Sequence, residues 1–183
     1  MRSFAVHSET LKLGLVDVPE ELIPAVERLA FERAGMVFVR MFPGDAPYAA
    51  QAAERFELCG EEMVRQIADL DPVPWEGALE LLLDRVGSEG WMLVGRAARA
   101  LRGLDATPHD LDLVSDTDGC DRIAAALADL LVEPLVDGGW IGGRWFRAFG
   151  PARIEGVGDY AGDLVDDGTV TWRGHEVRVG RIG

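Results

Sequence analysis

Apolar residues along this chain follow two periods, and the clearer ones come late. Leu79, Leu82, Leu83 and Val86 recur at helical spacing after Trp75, which predicts an amphipathic helix over 75–86 closed by Gly87 and Gly90. Trp91-Met92-Leu93-Val94 is a short apolar strand ending at Gly95, and 97–101 reads as a helix ended by Gly103. Asp110 to Val114 alternates acidic and apolar residues, the two-residue period of a half-buried strand. A helix is predicted from about Cys120 to Val132, with Ile123, Leu127, Leu130 and Leu131 facing inward. Asp116 and Asp118 stand where they would cap it. Further strands are predicted over 135–136, 145–149 and 152–157, and a closing hairpin over 169–172 and 176–179. The glycine pairs Gly138-Gly139 and Gly142-Gly143 read as hairpin turns, with Trp140 and Trp145 packing on the sheet.

The first 74 residues are less legible. Pro19-Glu20-Glu21 followed by Leu22, Ile23, Val26 and Leu29 predicts a helix ended by Gly35. The run 36–42 reads as a strand, and Pro43 to Pro47 as a turn. Ala52, Phe56, Cys59, Met63 and Ile67 suit a helix over 48–70. Asp71-Pro72-Val73-Pro74 breaks the chain and marks the expected boundary. The expectation is a mostly helical accessory segment, 1–74, and an α/β (α+β) domain, 75–183, with helices packed on a mixed sheet.

Charge narrows the range of partners. The formal net charge is −14, and the acidic residues are spread along the chain. That speaks against broad nucleic-acid binding, which needs a basic footprint. It suits a cytoplasmic protein with a small-molecule or metal–nucleotide ligand. No run approaches the ~20 apolar residues of a membrane span, and the N-terminus lacks the apolar core of a signal peptide. Cys59 and Cys120 stand in no metal or redox spacing and read as reduced, buried thiols.

The residues that carry chemistry lie around the acidic strand. Alternation puts Asp110 and Asp112 on one face and turns Leu111 and Leu113 toward the core. Two such carboxylates repel unless a cation lies between them. A hard ion such as Mg²⁺ takes carboxylates together with phosphate oxygens, and a two-metal site holds its ions ~4 Å apart. At the strand-to-helix turn, Gly95 has no Cβ and lets a ligand approach the backbone. A third carboxylate is expected on a neighbouring strand. Glu155 is the first candidate and Asp159 the second.

Leu93-Val94-Gly95, then Ala98, Leu101 and Gly103, then Pro108-His109-Asp110-Leu111-Asp112-Leu113-Val114 resemble the nucleotidyltransferase superfamily over roughly residues 75–180. That superfamily includes polymerase-beta-like, aminoglycoside and minimal nucleotidyltransferases. The resemblance implies ATP or another nucleoside triphosphate as donor, and transfer of its nucleoside monophosphate to a hydroxyl or amine. A small molecule, a protein or a tRNA end would be the acceptor. It places Asp110 and Asp112 as metal ligands, Glu155 as the third acidic residue, and Gly95 with Arg96 at the nucleotide. Arg96 departs from the Gly-Ser or Gly-Gly of the pattern, and would either hold a phosphate or fill the nucleotide's space. Relatives continue past the point where this chain ends, so the acceptor pocket would be completed by residues 1–74, by a protein partner or by a second copy.

Each of these features also has a plainer reading. Glu155 could be a solvated strand residue, and Gly95 a packing glycine. Arg144, Arg147 and Arg153 read as strand-surface arginines, His109 as structural, and His7 and His175 as surface residues without partners. The rival to an enzyme is a catalytically degenerate binding or antitoxin-like module of the same fold.

Overall fold

The computed structural model describes residues 1–139 and 141–183, so the expected packing of Trp140 lies outside the described residues. The chain forms two compact units. One contains Met1–Pro72 and Ala128–Pro134, the other Val73–Leu127 and Leu135–Gly183.

The first unit joins its helices to a four-stranded sheet, of which the sequence predicts only the strand over 36–42. Strands β1 (Arg2–His7), β2 (Thr10–Val16), β3 (Glu32–Ala34) and β4 (Val37–Pro43) pair antiparallel in the order β1-β2-β4-β3. The reason is legible in β2. Leu11, Leu13 and Leu15 alternate with Lys12 and Gly14, and all three leucines are fully buried. Two helices, α1 (Ile23–Arg28) and α2 (Ala49–Ile67), complete the unit, and α2 packs along β1. Ala52, Phe56, Met63 and Ile67 form the buried stripe of α2, and Phe31 stacks on Phe56 with ring centroids 5.6 Å apart. His7, expected to lack a partner, places Nε2 2.8 Å from the Gly44 carbonyl oxygen.

The second unit begins with α3 (Trp75–Val86), β5 (Trp91–Val94), α4 (Gly95–Leu101), β6 (Asp110–Ser115) and α5 (Thr117–Ala126). Asp116 caps α5 by accepting a hydrogen bond from the Gly119 N–H at 2.6 Å. The helix expected to reach Val132 stops at Ala126. A 3₁₀ turn, Ala128–Leu130, follows, and strand β7 (Leu131–Asp137) begins. Pro134 cannot serve a helix interior, and Leu131 to Leu135 are buried throughout, as a covered strand requires. This apolar run returns Ala128–Pro134 to the first unit, a crossing the sequence reading did not foresee. Strands β8 (Arg144–Phe149), β9 (Arg153–Gly158), β10 (Leu164–Trp172) and β11 (His175–Ile182) follow.

The larger sheet has the order β10-β11-β5-β6-β9-β8-β7. It is mixed: β6 runs parallel to β9 and antiparallel to β5, and β8 runs antiparallel to β9. Helices α3 and α5 pack against β6 and β9. No helix among the described residues is long and apolar enough to cross a membrane.

Candidate active site

The acidic strand β6 lies at the middle of the larger sheet, and its neighbours determine what surrounds each carboxylate. On β9, Arg153 stands opposite Asp110 and Glu155 opposite Asp112. On β5, Val94 stands opposite Asp112, and on β8, Arg147 stands opposite Glu155. One row across the sheet therefore reads Val94, Asp112, Glu155, Arg147. Strand alternation keeps Asp110 and Arg153 on this same face. Leu111, Leu113 and Ile154 turn to the other face, each no more than 1% exposed. The structure brings the three predicted carboxylates together.

It also brings in Arg147 and Arg153, which the sequence alone places as strand-surface arginines. Arg153 donates to Asp110 Oδ2 and places its Nε 3.1 Å from Glu155 Oε1. Arg147 donates from Nε to the same Oε1 at 2.8 Å, and its guanidinium lies over the Trp145 ring. A signal for Arg153 was available. It precedes Glu155 by two residues, and the same alternation that pairs Asp110 with Asp112 pairs these two. Arg147 gave no such signal, because its place depends on the β8–β9 register.

Asp112 differs from the other two acids. It feels Arg153 and Arg147 only as attraction at a distance. Val94, Val114 and Met92 form a buried apolar cluster on its flank. Burial pushes the Asp112 carboxyl up to about 7, and repulsion from Asp110 and Glu155 adds to the rise. Gly95 makes this crowding feasible. It opens α4 with φ +69°, and a Cβ there would stand 2.6 Å from Asp112 Oδ2. A side chain at this position would be strained and would collide with the carboxylate.

Arg96 is exposed on the first turn of α4. With Arg99, Asp105, Ala106 and Thr107 it lines an open pocket of about 370 Å³. Asp159 does not join the acids. It accepts from Thr117 Oγ1 at 2.5 Å, and its N–H donates to Ser115, at the far end of β6 from Asp110. Arg144 is taken up by Asp121 and Asp137, at 3.0 and 3.2 Å. As the side chains stand, no three His, Cys, Asp or Glu groups among the described residues converge as metal ligands. Asp110 and Glu155 face the two guanidiniums instead.

No family model and no curated protein sequence matches the chain. Among solved structures, it is similar to a Thermotoga maritima protein provisionally described as a nucleotidyltransferase. The TM-score is 0.51 and the identity 18%, over 58% of this chain and 76% of that one. At that identity the likeness speaks for the fold alone. The chain carries a nucleotidyltransferase-like fold.

Proposed function

We propose that this protein is a magnesium-dependent nucleotidyltransferase, transferring a nucleoside monophosphate from a nucleoside triphosphate to a hydroxyl or amine. The observation that carries this reading is the grouping of Asp110, Asp112 and Glu155 on one face of adjacent strands in a nucleotidyltransferase-like fold. Their carboxylates supply the hard oxygen donors that Mg²⁺ prefers, so the donor set fits the ion chemically. Magnesium held there would neutralise charge on the transferring phosphorus and on the leaving pyrophosphate. Asp110 and Asp112 would be its main ligands, and Glu155 would complete the set. Gly95 keeps the approach to Asp112 free of side chain. Arg96 and Arg99 offer positive charge to the phosphates at the neighbouring pocket. The acceptor is a small molecule, a protein side chain or a tRNA end, and the negative balance of the chain makes tRNA the poorest match.

One observation favours a second reading, a binding module of the same fold without catalysis. Arg147 and Arg153 already neutralise much of the acidic group, as they would in a site that had lost its metal.

A thermal-shift titration separates the two. Wild type and Asp112→Asn would be titrated with ATP, GTP, CTP and UTP, each with and without Mg²⁺. A ligand of the native state raises the melting temperature by mass action, by an amount equivalent to ~2.7 kcal/mol at a hundredfold excess over Kd. An enzyme gives a rise that needs both nucleotide and Mg²⁺ and is lost in Asp112→Asn. No rise with any nucleotide overturns the proposal in favour of the binding module.

A further inference from the structure

We propose that the Arg153 guanidinium is a resident counter-cation of the acidic site, which a divalent cation must displace from Asp110 and Glu155 in order to bind. This inference rests on the reading of the acidic group as a cation site.

The geometry is specific. Arg153 lies between two carboxylates that belong to different strands, hydrogen-bonded to Asp110 and ion-paired, with no hydrogen bond from Nε, to Glu155. It reaches Asp110 across the β6–β9 ladder and Glu155 along its own strand. Its side chain is 14% exposed, and those of Asp110 and Glu155 are 15% and 21% exposed. All three are thus largely removed from water, where a bridging guanidinium is worth more than at the surface. The oxygens it engages are those a divalent ion would need. A metal ion and the guanidinium therefore compete for the Asp110 carboxylate, and beside Glu155 they repel each other at close range.

Arg147 does not play this part. Its Nε donates to Glu155 Oε1 and its guanidinium lies over the Trp145 ring. Displacement of Arg153 also has a chemical destination. A guanidinium released beside the site meets the phosphate oxygens of an incoming metal–nucleotide complex, with which its planar fork pairs well. A free metal ion offers no such partner. The consequence is a site that takes up free divalent cation weakly.

The test uses Mn²⁺ alone as the probe, with the free ion counted by its paramagnetic resonance signal. Wild type, Arg153→Gln and Arg153→Lys would be titrated without nucleotide. Gln removes the charge and keeps a hydrogen-bonding amide. Lys keeps the charge but cannot span both carboxylates. Expected is Mn²⁺ affinity at least ~10-fold tighter in Arg153→Gln than in wild type, with Arg153→Lys between them. In chelator, Arg153→Gln should also melt below wild type, and Mn²⁺ should close that gap.

Equal affinity in all three proteins overturns the counter-cation and leaves the cation site standing. Absence of Mn²⁺ binding in all three overturns the cation site and this inference with it. If Arg153→Gln does not fold with or without Mn²⁺, Arg153→Lys decides: tighter binding than wild type supports the proposal, and unchanged binding overturns it.

Discussion

Each unit of this protein buries carboxylates against arginine, and the two do so in different proportions. In the first unit, Glu133 is fully buried and lies 3.2 Å from the guanidinium of Arg40, which also donates to the Leu29 carbonyl oxygen. Here a buried carboxylate faces a guanidinium. In the second unit, three carboxylates share Arg147 and Arg153. One negative charge is left over, and it falls on Asp112, the acid whose affinity for a proton rises most clearly. A matched buried pair holds a fold in place. A surplus of buried charge costs stability unless something arrives to balance it. The comparison therefore separates a carboxylate that faces its own guanidinium from an acidic group with more carboxylates than arginines.

The comparison can be broken first where its effect is largest. Arg40→Ala leaves Glu133 buried without the guanidinium that faces it. Removal of one partner from a buried pair costs ~3–5 kcal/mol, read as a lowered urea midpoint. Replacing Arg40 and Glu133 together with apolar residues of similar volume should cost far less, since no buried charge is then stranded. A loss below ~1 kcal/mol for Arg40→Ala is the size of a surface pair, and would remove the contrast between the units.

The next effect tests how tightly the acidic group is built. Gly95 and Gly103 stand at the two ends of α4, and both adopt positive φ, +69° and +73°. A Cβ on Gly95 meets Asp112 Oδ2 at 2.6 Å, whereas a Cβ on Gly103 meets nothing within 4 Å. Gly103→Ala should therefore cost only the left-handed backbone, ~1–2 kcal/mol. Gly95→Ala carries that cost and the collision as well, for a total of ~2–3 kcal/mol, and should abolish any Mg²⁺–nucleotide shift. Equal costs at the two glycines would mean that Asp112 has room to move aside.

These positions also show how far the sequence could be read. Helix α3 and strands β5 and β6 were legible because each carries a complete local period bounded by glycine or proline. Asp110, Asp112 and Glu155 followed from strand alternation and a resemblance. In the sheet of the first unit only the strand over 36–42 was legible, although β2 carries a clean alternation of leucines. Strand β7 was legible only over 135–136: its apolar start, from Leu131, continues the run of α5, and Pro134 marks the difference. The arginines of the site were the least legible. What places Arg147 beside Glu155 is a hydrogen-bonded register between β8 and β9, and no period within one segment contains it.

The smallest effect concerns the leftover charge itself. The Asp112 carboxyl titrates near about 7 in the folded chain, against ~3.9 when unfolded. Between those values the native state binds more protons than the unfolded state, so stability falls as pH rises. The contribution is fully present below pH ~4 and is lost as pH passes ~7. Asp112→Asn removes the titration. In chelator at pH 8 it should be more stable than wild type, and near pH 4 the advantage should vanish. The sign is the informative part, because most changes at partly buried polar positions destabilise. A mutant less stable than wild type at pH 8 would mean that ionised Asp112 is already balanced within the fold. The acidic group would then be closed like the Arg40–Glu133 pair, with no charge left for a cation to neutralise.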